Sequence, residues 1–229
     1  DMIHFTFCFL ILPFIKIIIT QKYSKLLKIK AKCIIKLMEI PKYDAIFMIG
    51  PQGSGKGTQG KTLAAKLGYF YWEMGGILRE EAKKSTPFGI KVKDLIDAGK
   101  LLEDDELFRV LQTELPEVIK HKRLLFDGVP RTVPQAVHLI HYLQQNGFTS
   151  FGAIHIDVPN EESVKRLLER AHHEFRVDDT PEKISFRLAT YDKETKPVLK
   201  FMQGIGDLHT IDGVGTIEEI TERINKALE

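Results

Sequence analysis

The chain has 229 residues, 43% apolar and 28% charged, an ordinary globular composition long enough for one domain with a sizeable core. Its net charge of +2 is unevenly spread: residues 1–40 hold seven lysines against Asp1 and Glu39, so the remainder is acidic and the overall basicity carries no nucleic-acid signal. The two cysteines, Cys8 and Cys33, both fall in that first segment, which excludes a disulfide framework or a cysteine-based zinc site elsewhere.

Residues 3–19 are largely apolar but slightly short for a membrane span, and they contain Pro13 and Lys16. No basic residue precedes the run and no small-residue cleavage site follows it, which argues against a secretory signal. Residues 1–40 hold ten isoleucines and no glycine or arginine, and the first residue is Asp. The favoured expectation is an AT-rich upstream region read through to a start at Met38. A membrane anchor, with the following lysines on the cytoplasmic side, and a soluble extension are the other readings.

Ile46-Phe-Met-Ile49 reads as a buried strand, and Gly50-Pro-Gln-Gly53-Ser54-Gly55-Lys56-Gly57-Thr58 follows as a glycine-rich turn opening a helix with Leu63 and Leu67 on one side. Gly50-x4-Gly55-Lys56 is phosphate-loop spacing. Glycines let consecutive backbone N–H groups wrap an anion, the helix N-terminus adds partial positive charge, and Lys56 adds a full one. The general motif puts Ser or Thr directly after the lysine to hold Mg²⁺. Gly57 stands there, so the metal must be held differently, through water and a carboxylate elsewhere.

Tyr69–Trp72 reads as a second strand, and a helix begins at Gly75-Gly76-Ile77-Leu78-Arg79. Residues 80–119 form a helical insertion broken by Pro87 and Gly99, with Leu107, Val110, Leu111 and Leu115 at helical spacing. Leu124–Phe126 is a third strand ending in Asp127-Gly128-Val129-Pro130-Arg131. In an open parallel sheet, chemistry sits beyond the carboxyl ends of the strands, which places Asp127 as the acidic partner of the phosphate loop. Thr132 caps the next helix, whose apolar face is predicted to hold Val133, Val137, Ile140 and Leu143.

Gly152–Pro159 is a fourth strand, and Asn160 opens a helix carrying Arg166 and Arg170 on one face. Arg176, Asp178 and Asp179 follow, then a helix capped by Thr180-Pro181 with Ile184, Leu188 and Tyr191 inward and Arg187 nearby. Four arginines within twenty-two residues suit several phosphate groups. Leu208–Ile211 is a fifth strand, and Thr216-x-x-Glu219 is a capping box for the last helix.

Together these segments resemble the adenylate kinase family of nucleoside-monophosphate kinases over residues 44–228. Gly-Pro-Gln-Gly-Ser-Gly-Lys-Gly-Thr-Gln, Gly75-Gly-Ile-Leu-Arg79, Asp127-Gly-Val-Pro-Arg131-Thr-x-x-Gln135, and Arg166-x3-Arg170 with Arg176-Val-Asp-Asp179 and Arg187 carry the likeness. It implies an α/β phosphate-loop kinase fold: a five-stranded parallel sheet flanked by helices, a monophosphate-binding insertion at 73–103 and a short lid at 170–177 within a domain of 41–229. It implies reversible transfer from MgATP to AMP giving two ADP, in the cytoplasm. The expected partners are small nucleotides, with no nucleic acid, a membrane only if the leader is real, and a monomeric chain. By the same likeness, Gly53, Ser54, Gly55, Lys56, Gly57 and Thr58 take the ATP phosphates, and Arg166 stacks on the adenine. Arg79, Gly128, Arg131 and Gln135 take the acceptor. Arg170, Arg176 and Arg187 surround the transferring group, while Asp127 and Asp179 hold Mg²⁺ through water. Met74 and Gly76 replace the family's usual Thr and Asp, which keeps a UMP/CMP kinase open as a second reading. A non-catalytic ATP-binding regulator is the third.

Overall fold

The computed structural model describes residues 42–174 and 180–229. The leader at 1–40, Arg176, Asp179 and part of the short lid lie outside the described residues.

Strands β1 (Ala45–Ile49), β2 (Phe70–Glu73), β3 (Leu124–Asp127), β4 (Phe151–Asp157) and β5 (Asp207–Asp212) form one sheet of order β2-β3-β1-β4-β5. Every pair is parallel. This is the predicted five-stranded sheet, with β2 displaced by one residue toward the C-terminus. After β1 the chain runs to one edge, returns through β3, then crosses to the other side of β1. That reversal beside β1 opens a crevice at the carboxyl ends of β1 and β3.

Strand alternation assigns the two faces. Phe47, Ile49, Leu124, Phe126 and Ala153 join the core on one side; Ile46, Met48, Leu125, Ile154 and Ile156 join the other. The first face is covered by α4 (Asp104–Val118), α5 (Val133–Gln145) and α8 (Lys196–Ile205), with Leu111, Leu139, Leu143 and Val198 fully buried. Phe47 and Phe126 stack there at 5.3 Å. Removing such a ring costs about 3–5 kcal/mol. The second face is covered by α1 (Lys56–Leu67) and α9 (Ile217–Leu228), through Leu63, Ile220 and Ile224.

Local signals set the ends of these helices. Thr132 Oγ1 accepts from Gln135 N at 3.2 Å, and the Thr216–Glu219 capping box forms in both directions. One expected packing position is wrong: Val137 is 49% exposed, and Ala136 and Leu139 turn inward instead. The core-facing stripe of α5 therefore lies one residue away from that position. Between β2 and β3 run α2 (Met74–Glu81), α3 (Pro87–Asp97) and α4, the predicted helical insertion. Beyond β4, α6 (Asn160–Glu174) packs on α7 (Pro181–Thr190) through Leu167, Ile184 and Leu188. A π-helical turn, Tyr191–Thr195, joins α7 to α8. No helix among the described residues is long and apolar enough to cross a membrane.

Candidate active site

The β1–α1 loop turns on glycines in the left-handed region, Gly53 at φ 82° and Gly55 at φ 91°, the latter capping α1. Lys56 folds back over its own loop and donates to Gly50 O and Pro51 O, each at 2.8 Å. Burial pushes its ammonium down to about 8; Asp127 opposes that shift, while Arg131 and Arg170 add to it. A cation desolvated among other cations is poised for an anionic ligand. Ser54 is fully buried behind the loop, and its hydroxyl finds no partner among the described residues.

Asp127 ends β3 beside α1 and accepts from Tyr71 Oη at 2.7 Å. Burial, followed by this carboxylate, pushes the Tyr71 phenol well up, so Tyr71 stays a donor. A Cβ added at Gly57, where the general motif has its hydroxyl, would lie 3.5 Å from Asp127 Oδ2. Among the described residues no three acidic, His or Cys side chains gather as a metal-binding set. One carboxylate next to a phosphate loop suits an ion that keeps its water shell and takes its other ligands from phosphates, as Mg²⁺ does.

After β3, Gly128 takes φ 83° and Val129–Pro130 is cis. Arg131 turns back and donates from Nε to Gly128 O at 3.0 Å. Burial lowers its pKa against the pull of Asp127, and the nearby charges of Arg187 and Arg79 lower it further. Gln135 is 3% exposed, with both ends of its amide engaged. Its Oε1 accepts from Arg131 N at 2.8 Å, and its Nε2 donates to Asp104 Oδ1 at 2.8 Å. Thr132 Oγ1 donates to the same carboxylate oxygen at 3.0 Å.

On α2, Arg79 Nη2 donates to Glu73 Oε1 at 2.6 Å. On α6, Arg166 donates from Nε to Glu162 Oε1 at 2.7 Å and from Nη2 to Gly213 O at 3.0 Å. These bonds fix the edge of its guanidinium. Arg187 lies against the α3–α4 turn: a Cβ on Gly99 would sit 3.2 Å from its Cγ.

Most of the expected residues line one open crevice of about 880 Å³: Gly53, Gly55, Lys56, Gly57, Thr58, Arg79, Asp127, Gly128, Arg131, Gln135, Arg166, Arg170 and Arg187. Ser54 is the exception among the described positions; its side chain is buried away from that wall. Arg176 and Asp179 lie outside the described residues. Sequence reasoning missed Tyr71, Glu73, Lys61 and Asp104. Tyr71 and Glu73 are strand and strand-end residues in the sequence pattern, and the Asp104–Gln135 pair spans 31 positions.

A model of the adenylate kinase family matches residues 48–206. The chain is similar to adenylate kinases of Thermus thermophilus, 39% identical over 184 residues, and of Leptospira biflexa serovar Patoc, 40% identical over 183. It is also 38% identical over 184 residues to that of Stenotrophomonas maltophilia. Each match covers 80% of this chain and 96% or 98% of the relative.

Proposed function

The chain belongs to the adenylate kinase family and is an ATP:AMP phosphotransferase; we propose the following division of labour among its residues. The observation that carries it is the gathering of Lys56, Arg79, Arg131, Arg170 and Arg187, from five separate elements or loops, around one crevice beside Asp127.

The phosphate loop binds the ATP phosphates with its backbone N–H groups, and Lys56 leaves the two carbonyls it now contacts to bridge the β- and γ-phosphates. Arg166, held at its edge by Glu162 and Gly213, offers its flat faces for stacking on the ATP adenine. Arg79 and Arg131 clamp the acceptor α-phosphate. Arg170 and Arg187 stabilise charge on the transferring group, joined by Arg176, and Asp179 joins Asp127 in the metal role. Asp127 would hold Mg²⁺ through water; bound there, the ion neutralises charge between the phosphates. No covalent intermediate is needed, because alignment of donor and acceptor alone supplies about 7–11 kcal/mol. Water is a competing acceptor, so we assign lid closure the task of excluding it.

Gln135 reads the acceptor base. A backbone N–H can only donate and a carboxylate can only accept, so Arg131 N and Asp104 together fix which end of the amide is oxygen. One lone pair and one N–H remain for a base edge that presents a donor beside an acceptor, as adenine does at N6 and N1. Uracil presents the reverse order.

The direct test is product formation by the purified chain with MgATP and each of AMP, UMP, CMP and GMP. AMP is expected to give ADP fastest. Tight ATP binding without product from any monophosphate would overturn the assignment of these roles.

A further inference from the structure

Glu73 stands at the N-cap of α2, where a short polar side chain ordinarily accepts from the unpaired N–H groups of the first turn. Its carboxylate makes no such bond. Instead Oε1 takes the Arg79 guanidinium at 2.6 Å, and Oε2 lies 3.9 Å from Lys61 Nζ on α1. Glu73, Arg79 and Lys61 all line the crevice. The first turn of α2 is cleared for the pair: a Cβ on Gly75 would sit 3.1 Å from Arg79 Nη1 and 3.4 Å from Glu73 Oε1. One on Gly76 would sit 3.9 Å from both Arg79 Nη2 and Glu73 Cδ. Glycine is the poorest helix former after proline, and two in succession here leave a trough in which the ion pair lies.

We propose that Glu73 sets the affinity for the acceptor by occupying, as a carboxylate, the place on Arg79 that the acceptor phosphate takes. The inference rests on the reading of Arg79 as an acceptor clamp. Carboxylates and phosphates bind a guanidinium through the same paired N–H donors, so they compete. Arriving phosphate displaces the Glu73 carboxylate, and Lys61, already near its other oxygen, receives it. Both partners are partly exposed, 44% for Arg79 and 29% for Glu73, so the exchange is cheap. An exposed pair of this kind shifts an equilibrium by up to about fivefold. Glu73 is thus a positioning residue that acts through Arg79.

The test is initial-rate kinetics at saturating MgATP with AMP varied, on Glu73→Gln, Glu73→Ser, Lys61→Met and Arg79→Ala. Glu73→Gln and Glu73→Ser are expected to lower the AMP KM about fivefold with kcat within about twofold of the parent. Lys61→Met should raise that KM about twofold, because the displaced carboxylate loses its second cation. The gap between Glu73→Gln and the parent should narrow in about 1 M salt, which weakens pairs between exposed charges. A purely structural tie between β2 and α2 would lower the melting temperature and leave KM alone. If Arg79→Ala raises the AMP KM and neither Glu73 variant lowers it, the displacement idea fails and the clamp stands. If Arg79→Ala leaves KM unchanged, the clamp reading fails and takes this proposal with it.

Discussion

Lys56 and Arg79 each present a cation to the same crevice, but they are held by different means. Lys56 rests on two main-chain carbonyls of its own loop, in a turn shaped by left-handed glycines. Arg79 rests on one side-chain carboxylate at a partly exposed helix start. A main-chain cradle moves only if the β1–α1 junction is remade, and that junction continues straight from the buried β1. A surface ion pair re-forms with another partner for about 1 kcal/mol or less. On the proposed roles, the main-chain cradle of the donor wall is preformed and only the Lys56 side chain changes partners there, whereas the acceptor wall opens by exchange of an ion pair, and perturbing each wall should give a different kinetic signature.

The largest effect is expected at the preformed wall. Lys56→Ala removes the only full charge within the phosphate loop itself. Turnover at saturating substrates should fall by about 10²–10³-fold, the scale seen when one preorganised donor to a developing charge is lost. A kcat within tenfold of the parent would remove Lys56 from the reaction. At the acceptor wall, Arg131→Ala should lower kcat/KM for AMP by about 10–100-fold, since a hydrogen bond to a charged group contributes about 1.5–3 kcal/mol. The AMP KM should rise while ATP binding, read by calorimetry, stays near the parent value. An unchanged acceptor KM refutes the clamp.

The lowered pKa of Lys56 separates the walls by pH. Without nucleotide the ammonium titrates near 8, and phosphates bound beside it restore the charged form. Binding then takes up a proton above that pH. ATP affinity should hold below pH 8 and weaken by up to about tenfold per pH unit above it, until the pKa of the complex is reached. The same group acts on folding with a defined sign. Its folded pKa lies below the unfolded value of 10.5, so the unfolded chain binds more protons between about 8 and 10.5, and stability from this group rises with pH there. Calorimetry in two buffers of different ionisation heat at pH 8.5 measures the uptake; equal heats in both would show that Lys56 keeps its proton without ATP.

The donor wall was legible because strand, turn and helix are adjacent in sequence. Apolar Ala45–Ile49, the glycines and Lys56 each declare their conformation locally. The parallel sheet was legible for the same reason, from apolar runs separated by helical stretches. The turn from α7 into α8 was not. After the π-helical turn at Tyr191–Thr195, Pro197 stands at the start of a new helix, where a missing N–H does no harm. Val198 and Met202 then reach the core. At Val137 the periodic pattern alone chose a position one residue from the stripe that faces the sheet. Glu73 and Asp104 were invisible as site residues because each is defined by a partner it meets only after folding.

Asp104 gives the finest test of the acceptor wall. Its carboxylate holds Gln135 Nε2 at 2.8 Å and the Thr132 hydroxyl at 3.0 Å. With Asp104 in place, turning the Gln135 amide over to suit uracil would set Oε1 against a carboxylate oxygen and Nε2 against the Arg131 N–H. Both hydrogen bonds would become repulsive contacts. Asp104→Ala leaves only the Arg131 N–H to resist that turn. The ratio of kcat/KM for AMP over UMP should therefore fall by about three- to tenfold, the net worth of about one ordinary hydrogen bond. Most of that change should come from gained UMP turnover rather than lost AMP turnover. The variant also strips the α5 cap residue of one partner, so its melting temperature should be measured beside the kinetics; a loss of about 1 kcal/mol is expected from the missing Thr132–Asp104 hydrogen bond, while the cap itself remains. An unchanged AMP-to-UMP ratio in a folded Asp104→Ala chain would show that the amide orientation of Gln135 does not choose the base.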